Sequence, residues 1–456
     1  MFAMILRLLG VTPKPNPQQQ DAFRQLNALA PLKAAQDSVT AAEGKPSFIC
    51  REAVLDRDER IGGYVFTMSR HLPSRMLEKS ALIRRVQDDA MLSNLALLGV
   101  LSLLGRRHAF VHLAPASLNN PLLKAFFGKN VVIMITSDSL MTADLAAMRD
   151  NLQRLRESGI KYGWTLSQSP PEISEYLHEA DFIEIETASF DGIQLKSICR
   201  EFRAISKDLK LIASGLQTSD EFKLCFHSGF DHFMGPFVSS RENWHPAKSE
   251  INRLRVFEVL NMIRAGAEFG AIAECLRTES ILTFKLLRYI NSPGLGLQQK
   301  IGEIPQALMV LGRDHFYRWM SLLLFDFDQA GYHEYVLNEQ VLARARFLEM
   351  IAGQGRVPAE ADHLFMTGLF SMLDVMMEQS LKDVLKQVSL PGSVAATLKG
   401  EAGPMRDALL LAIAVESGTT DEMAAAAARC ELDARVVTAT MTEALAWAQQ
   451  VGSAGG

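Results

Sequence analysis

Between residues 46 and 239, short β-rich runs alternate with segments whose apolar residues recur at helical spacing, and this alternation constrains the fold more than any other feature. The runs are SFICREAVL, GGYVFTM, HAFVHLA, VVIMIT, YGWTL, DFIEIE, LKLIASG and FDHFMGPFV. Between them lie MLSNLALLGVLSLLG, ADLAAMRDNLQRLRESG and ISEYLHEA. Strand and helix in strict alternation is the pattern of parallel βαβ units. So many runs in so short a span predict a TIM-like β/α barrel, with an open doubly wound sheet as the alternative.

Near Ser239 the strand signal stops, and SSRENWHPAKSE reads as a polar hinge. Beyond it the pattern is helical almost throughout, with Gly and Pro where helices stop and start. The expected fold class is therefore α/β plus all-α. An N-terminal extension and linker covers 1–45, the barrel 46–239, a helical bundle 240–440, and a helix end with its tail 441–456. A chain of 456 residues exceeds what one core usually organises, which agrees with two domains. In the extension, MFAMILRLLG reads either as a short helix folded onto the body or frayed, or as an amphipathic tag; VTPKPNPQQQ reads as an extended linker.

Composition excludes several classes. With 48% hydrophobic and 22% charged residues, the chain is far from the composition of disordered proteins. A net charge of −5 argues against a broad nucleic-acid-binding surface. Cys50, Cys199, Cys225, Cys275 and Cys430 are scattered and form no CxxC, so reduced thiols and a cytoplasmic setting are expected. No apolar run approaches the ~20 residues of a membrane-spanning helix.

The segment FKLLRYINSPGLGLQQKIGEIPQALMVLGRDHFYRW, continued by ARARFLEMIAG, HLFMTGLFSMLDVMM and LPGSVAATLKGEAGPMRDALLLAIAVESG, resembles the HDOD domain, an all-helical signalling module. The preceding barrel resembles the EAL domain, on GGYVFTMSR, LRESGIKYGWTL, ADFIEIE and HSGFDHFMGPF. The resemblance implies a bacterial signalling protein in the sphere of cyclic di-GMP, motility or biofilm. It also implies a place for two divalent cations at the C-terminal ends of the barrel strands, where hydrolysis would occur.

Such cations require hard oxygen ligands. At the positions where the family carries its ligands and catalytic groups, this chain has Val65, His112, Met134, Thr165, Leu166, Glu184, Ser214 and Met234. The phosphate-pairing arginine of the EAL motif corresponds to Ser69, with Arg70 one residue on. Neither hydrolysis nor cyclic di-GMP binding is expected, no cofactor or metal site is expected, and Met134, Leu166 and Met234 are expected to fill the former pocket. The alternative is a receptor that binds the nucleotide without hydrolysing it.

HDOD domains are related to HD phosphohydrolases, whose His-Asp dyad position here reads Ser371-Met372, with Asp374 nearby. His315 and His363 are expected to be structural. Binding to other signalling proteins is the expected role. The corner of Asn291, Ser292, Pro293, Gly294 and Gly296 reads as a helix–helix junction. Alternatively, Arg288, Asn291, Lys300, Arg313 and Arg318 present a recognition surface, with Arg318 exposed beside a core Trp319.

Overall fold

A computed structural model of the chain describes residues 49–68, 81–97, 107–136, 145–166, 179–240, 251–291, 299–326, 331–417 and 420–452. The N-terminal extension, Ser69, Arg70 and the corner residues Ser292, Pro293, Gly294 and Gly296 lie outside the described residues.

Each β-rich run forms one strand, and together they close a barrel in sequence order. The strands are β1 (Ile49–Leu55), β2 (Ile61–Met68), β3 (His108–Leu113), β4 (Val131–Thr136), β5 (Lys161–Leu166), β6 (Phe182–Glu186), β7 (Lys210–Ser214) and β8 (His232–Met234). The described helices around them are α1 (Ala81–Leu97), α2 (Leu145–Glu157), α3 (Gly192–Ile205) and α4 (Ser219–Ser228). From β2 to β8 every pairing is parallel. The open-sheet alternative is excluded by closure.

One strand departs from the expected parallel pattern. β1 runs antiparallel to both β2 and β8. The link from β1 to β2 is a tight turn, far too short for a crossover helix, so the two strands form a hairpin. The Asp56 side chain holds that turn by accepting from the backbone N–H groups of Asp58 and Arg60, each at 3.0 Å.

Alternation along each strand sorts the side chains. Val54, Val65, Phe110, Val132, Met134, Phe182, Ile212 and Met234 pack together inside the barrel. Its floor is formed by His108 and His232, which meet Phe110 and Phe182 edge-on at 5.6–6.3 Å between ring centroids. Burial holds both imidazoles down at about 4. Two glycines keep the wall tight. A Cβ on Gly63 would lie 2.5 Å from the His108 carbonyl oxygen, and one on Gly163 2.5 Å from that of Phe182.

Beyond the barrel every described element is helical, apart from short turns. In order these are α5 (Arg253–Arg264), α6 (Phe269–Arg277), α7 (Ser280–Ile290), α8 (Ile304–Leu322), α9 (Tyr332–Met350), α10 (Ala361–Phe370), α11 (Leu373–Met377), α12 (Leu381–Val384), α13 (Gly392–Leu398), α14 (Pro404–Ser417), α15 (Thr420–Arg429) and α16 (Ala434–Gly452). Asn252 caps α5 by accepting from the Arg255 N–H. α8 breaks at Gly312, whose φ of 74° only glycine adopts cheaply, so the glycine divides two helices across a kink.

The two domains pack on each other directly. As a hairpin, β1–β2 has no crossover helix of its own between its strands, and its outward side chains meet α9, α14 and α16. α9 is buried among helices on its other sides, packing most closely on α10 and α16.

Candidate functional site

The barrel mouth is the place to look for chemistry, because parallel strands deliver their C-terminal side chains there. His112 from β3 and Glu184 from β6 reach each other across the barrel, with Nε2 2.7 Å from Oε2. The same Glu184 oxygen accepts from the Thr165 hydroxyl of β5 at 3.2 Å. Burial would raise the Glu184 carboxyl. The charge and hydrogen bond of His112, aided by hydrogen bonds from Ser214 and Thr165, outweigh burial and hold it below its ordinary value. Ionised Glu184 can only accept, so the His112 Nε2 carries the proton.

Val65, Met134 and Met234 surround this pair as apolar fill. Ser214 is buried, and its single hydroxyl proton can be given either to Glu184 or to the Ile185 carbonyl 3.2 Å away. Leu166 is a correction. Expected to fill the pocket, it belongs instead to the core outside the barrel wall. Thr165 and Leu166 are adjacent on one strand and so face opposite sides. Glu52 of β1 stands opposite Val65, exposed at the rim yet partly enclosed by the wall. That enclosure, with the nearby Glu184 charge, raises its carboxyl against the pull of His112. Among the described residues, no group of three or more His, Cys, Asp or Glu could hold a metal ion.

The second place to look is the dyad position of the helical domain. Ser371 follows α10 and donates to the Gly368 carbonyl at 2.7 Å while accepting from Arg344 Nη1 at 2.7 Å. Arg344 of α9 forms a two-pronged pair with Glu416 of α14, at 2.8 and 2.5 Å. Gln340, one turn earlier on α9, donates to the same carboxylate at 2.6 Å. Arg344 is buried, and although burial would lower its guanidinium, the Glu416 charge and hydrogen bond hold it above its ordinary value. This close approach of α9 to α10 needs Gly368, where a Cβ would sit 2.6 Å from the Ala345 Cα. Met372 is core, and Asp374 Oδ1 is buried with no hydrogen-bond partner. His315 Nδ1 lies 3.1 Å from the Leu311 carbonyl, and His363 Nδ1 3.1 Å from the Ser393 hydroxyl.

The five residues of the candidate recognition surface do not share one role. Arg288 and Lys300 are exposed. Asn291 is a local brace, donating to the Leu287 and Ile301 carbonyls and accepting from the Ile301 N–H. Arg313 lies over the Phe269 ring at 4.9 Å. Arg318 is a second correction. It is buried, bonded through Nη1 to Glu349 at 2.7 Å and Asp362 at 3.0 Å, and lies 3.7 Å from the Phe365 ring centroid. An arginine between a tyrosine and a tryptophan looks like the solvent side of a helix, but two acids on neighbouring helices draw it inward. Trp319 is core, as expected.

A barrel that carries its polar groups at the strand ends, joined to an all-helical bundle, defines a modular α/β plus all-α protein. Residues 254–391 match the family model described as the HDOD domain. Over 413 residues the chain is 22% identical to a protein of Vibrio cholerae named cyclic di-GMP phosphodiesterase CdgJ, covering 89% of this chain and 93% of that one. It is also 22% identical over 385 residues to the uncharacterized protein YuxH of Bacillus subtilis, covering 82% of this chain and 91% of that one. A solved structure of Klebsiella pneumoniae BlrP1 with calcium and cy-diGMP is similar at 19% identity and a TM-score of 0.35, covering 52% of this chain and 69% of that one. The chain thus joins a closed eight-stranded barrel to a helical region that matches the HDOD family model.

No described helix is long and apolar enough to cross a membrane.

Proposed function

We propose that this protein is a non-catalytic scaffold or adaptor of bacterial signal transduction, working through protein–protein contacts in a pathway related to cyclic di-GMP. The observation that carries this reading is the engagement of Glu184. It is the one buried carboxylate at the barrel mouth among the described residues, and His112, Thr165 and Ser214 already satisfy it. A pair of hard divalent cations needs several oxygen donors, and a site walled by Val65, Met134 and Met234 does not suit them. The imidazole of His112 supplies the positive partner that a cation would otherwise be. At the dyad position, Arg344 plays the same part for Glu416. Similarity to a relative named a cyclic di-GMP phosphodiesterase supports the pathway; its activity is that protein's own.

The direct test is incubation of the purified chain with cyclic di-GMP and Mn²⁺ or Mg²⁺. No pGpG is expected, and its formation would overturn the reading. Calorimetric titration with the same nucleotide separates scaffold from receptor. No heat at micromolar concentration supports a scaffold, whereas saturable binding favours a receptor that has lost hydrolysis.

A further inference from the structure

α9 touches both domains, and its residues divide cleanly between them. Tyr332, Tyr335 and Glu339 recur at i, i+3 and i+7, one stripe of a helix, and all three meet the barrel. Tyr332 enters an aromatic group with Phe222 and Phe237, at 5.2 and 5.8 Å between centroids. Tyr335 lies under Arg60 of the hairpin turn at 5.3 Å. Glu339 accepts from the Tyr64 hydroxyl of β2 and pairs with Arg107 at 2.7 Å, while Arg107 also donates to that hydroxyl at 3.0 Å. Arg51 of β1 lies close enough to feel the charges of both Glu339 and Glu416. On the other side of α9, Gln340 and Arg344 hold Glu416 and Ser371.

These contacts are too deep to be a rim. The Glu339 side chain is 10% exposed and that of Arg344 7%. A buried polar contact adds little net stability, but leaving one partner of it unsatisfied is costly, so it fixes one arrangement against others. The outer face of β1–β2 also presents Ile49 and Phe66 to Val415, Met441 and Leu445 around a small interdomain cavity.

We propose that α9 is a rigid coupling strut between the two domains: Glu339 latches it to the β1–β2 hairpin, and a disturbance of that hairpin reaches the dyad position at Ser371 through Arg344. The helical domain then serves as part of the barrel's outer layer, and the two domains open together. This goes beyond the scaffold reading and does not depend on the absence of hydrolysis.

Hydrogen exchange on the full chain tests it, comparing Glu339→Ala, which removes the whole latch, with the unsubstituted protein. Amides of β2 and of α10 are expected to exchange faster together, by about tenfold, while those of the remote α6 change little. Tyr64→Phe, which removes only one hydroxyl, is the milder variant should Glu339→Ala fold poorly, and the same pairing of β2 with α10 is expected from it. Faster exchange confined to β2, or an equal rise in α6, would overturn the strut.

Discussion

The barrel mouth and the dyad position of the helical domain have arrived at similar local solutions with different chemistry. Each holds a carboxylate whose positive partner is a protein side chain: His112 for Glu184, Arg344 for Glu416. Arginine stays charged at any pH a protein survives, and its fork matches a carboxylate in two places. Histidine is a single-point partner whose charge depends on pH. The helical site is therefore a permanent structural tie. The mouth is a conditional one, opening towards solvent at the exposed Glu52.

The strongest way to break this comparison is Arg344→Leu. It leaves Glu416 buried without its partner and should cost about 3–5 kcal/mol in urea denaturation. Replacing Glu416 by leucine as well should recover much of that loss, because a whole buried pair can give way to apolar packing. Gly368→Ala comes next. Its methyl would collide with the α9 backbone, and a loss of about 1–3 kcal/mol is expected from the same measurement.

His112→Ala should cost less, about 1–2 kcal/mol near neutral pH, since Thr165 and Ser214 still reach Glu184. Its signature is a change of sign. In the unsubstituted protein the Glu184 carboxyl lies below its unfolded value, so its contribution is present above that value and lost as pH falls through the folded one. Without His112 burial prevails, the carboxyl rises above the unfolded value, and stability is lost as pH rises instead. NMR titration of Glu184 checks this.

Two further groups sharpen the contrast through their pH windows. The floor histidines, held down at about 4, contribute stability that is complete above their unfolded value of about 6.5 and fades as pH falls towards 4. Glu339, pushed by burial up to about 8 against the pull of Arg51, works the other way: its contribution is complete below about 4.3 and is lost as pH rises through 8. Thermal melts across pH should flatten between about 4.3 and 8 in Glu339→Gln and between about 4 and 6.5 in a double His108→Phe, His232→Phe variant. The smallest effect belongs to Ile193→Ser on the barrel's outer surface. That residue is 84% exposed, and the change should stay within about 0.5 kcal/mol.

Much of the fold was legible in the sequence. Every β-rich run became a strand, and the glycine expected to end a helix did so at Gly312, because local patterns report local structure. The antiparallel β1 was legible too, had the short Asp56–Arg60 link been weighed against the length a crossover needs. His112 and Glu184 were each noted as departures from a family pattern, but their pairing spans two strands that are not neighbours and exists only once the barrel closes. Leu166 was misplaced by taking two adjacent strand residues to share a face. Arg318 was misplaced because nothing near it in sequence announces Glu349 and Asp362. The contact of Tyr64 with Glu339 leaves no local trace, since 275 residues separate the two.

The floor of histidines and phenylalanines has one more consequence. The aromatic stopper closes the lower end, and the packed apolar layer above it leaves no chamber between them. His112, Thr165 and Glu184 therefore stand on a solid plug, and whatever approaches the barrel from their side meets a shallow polar face backed by hydrocarbon.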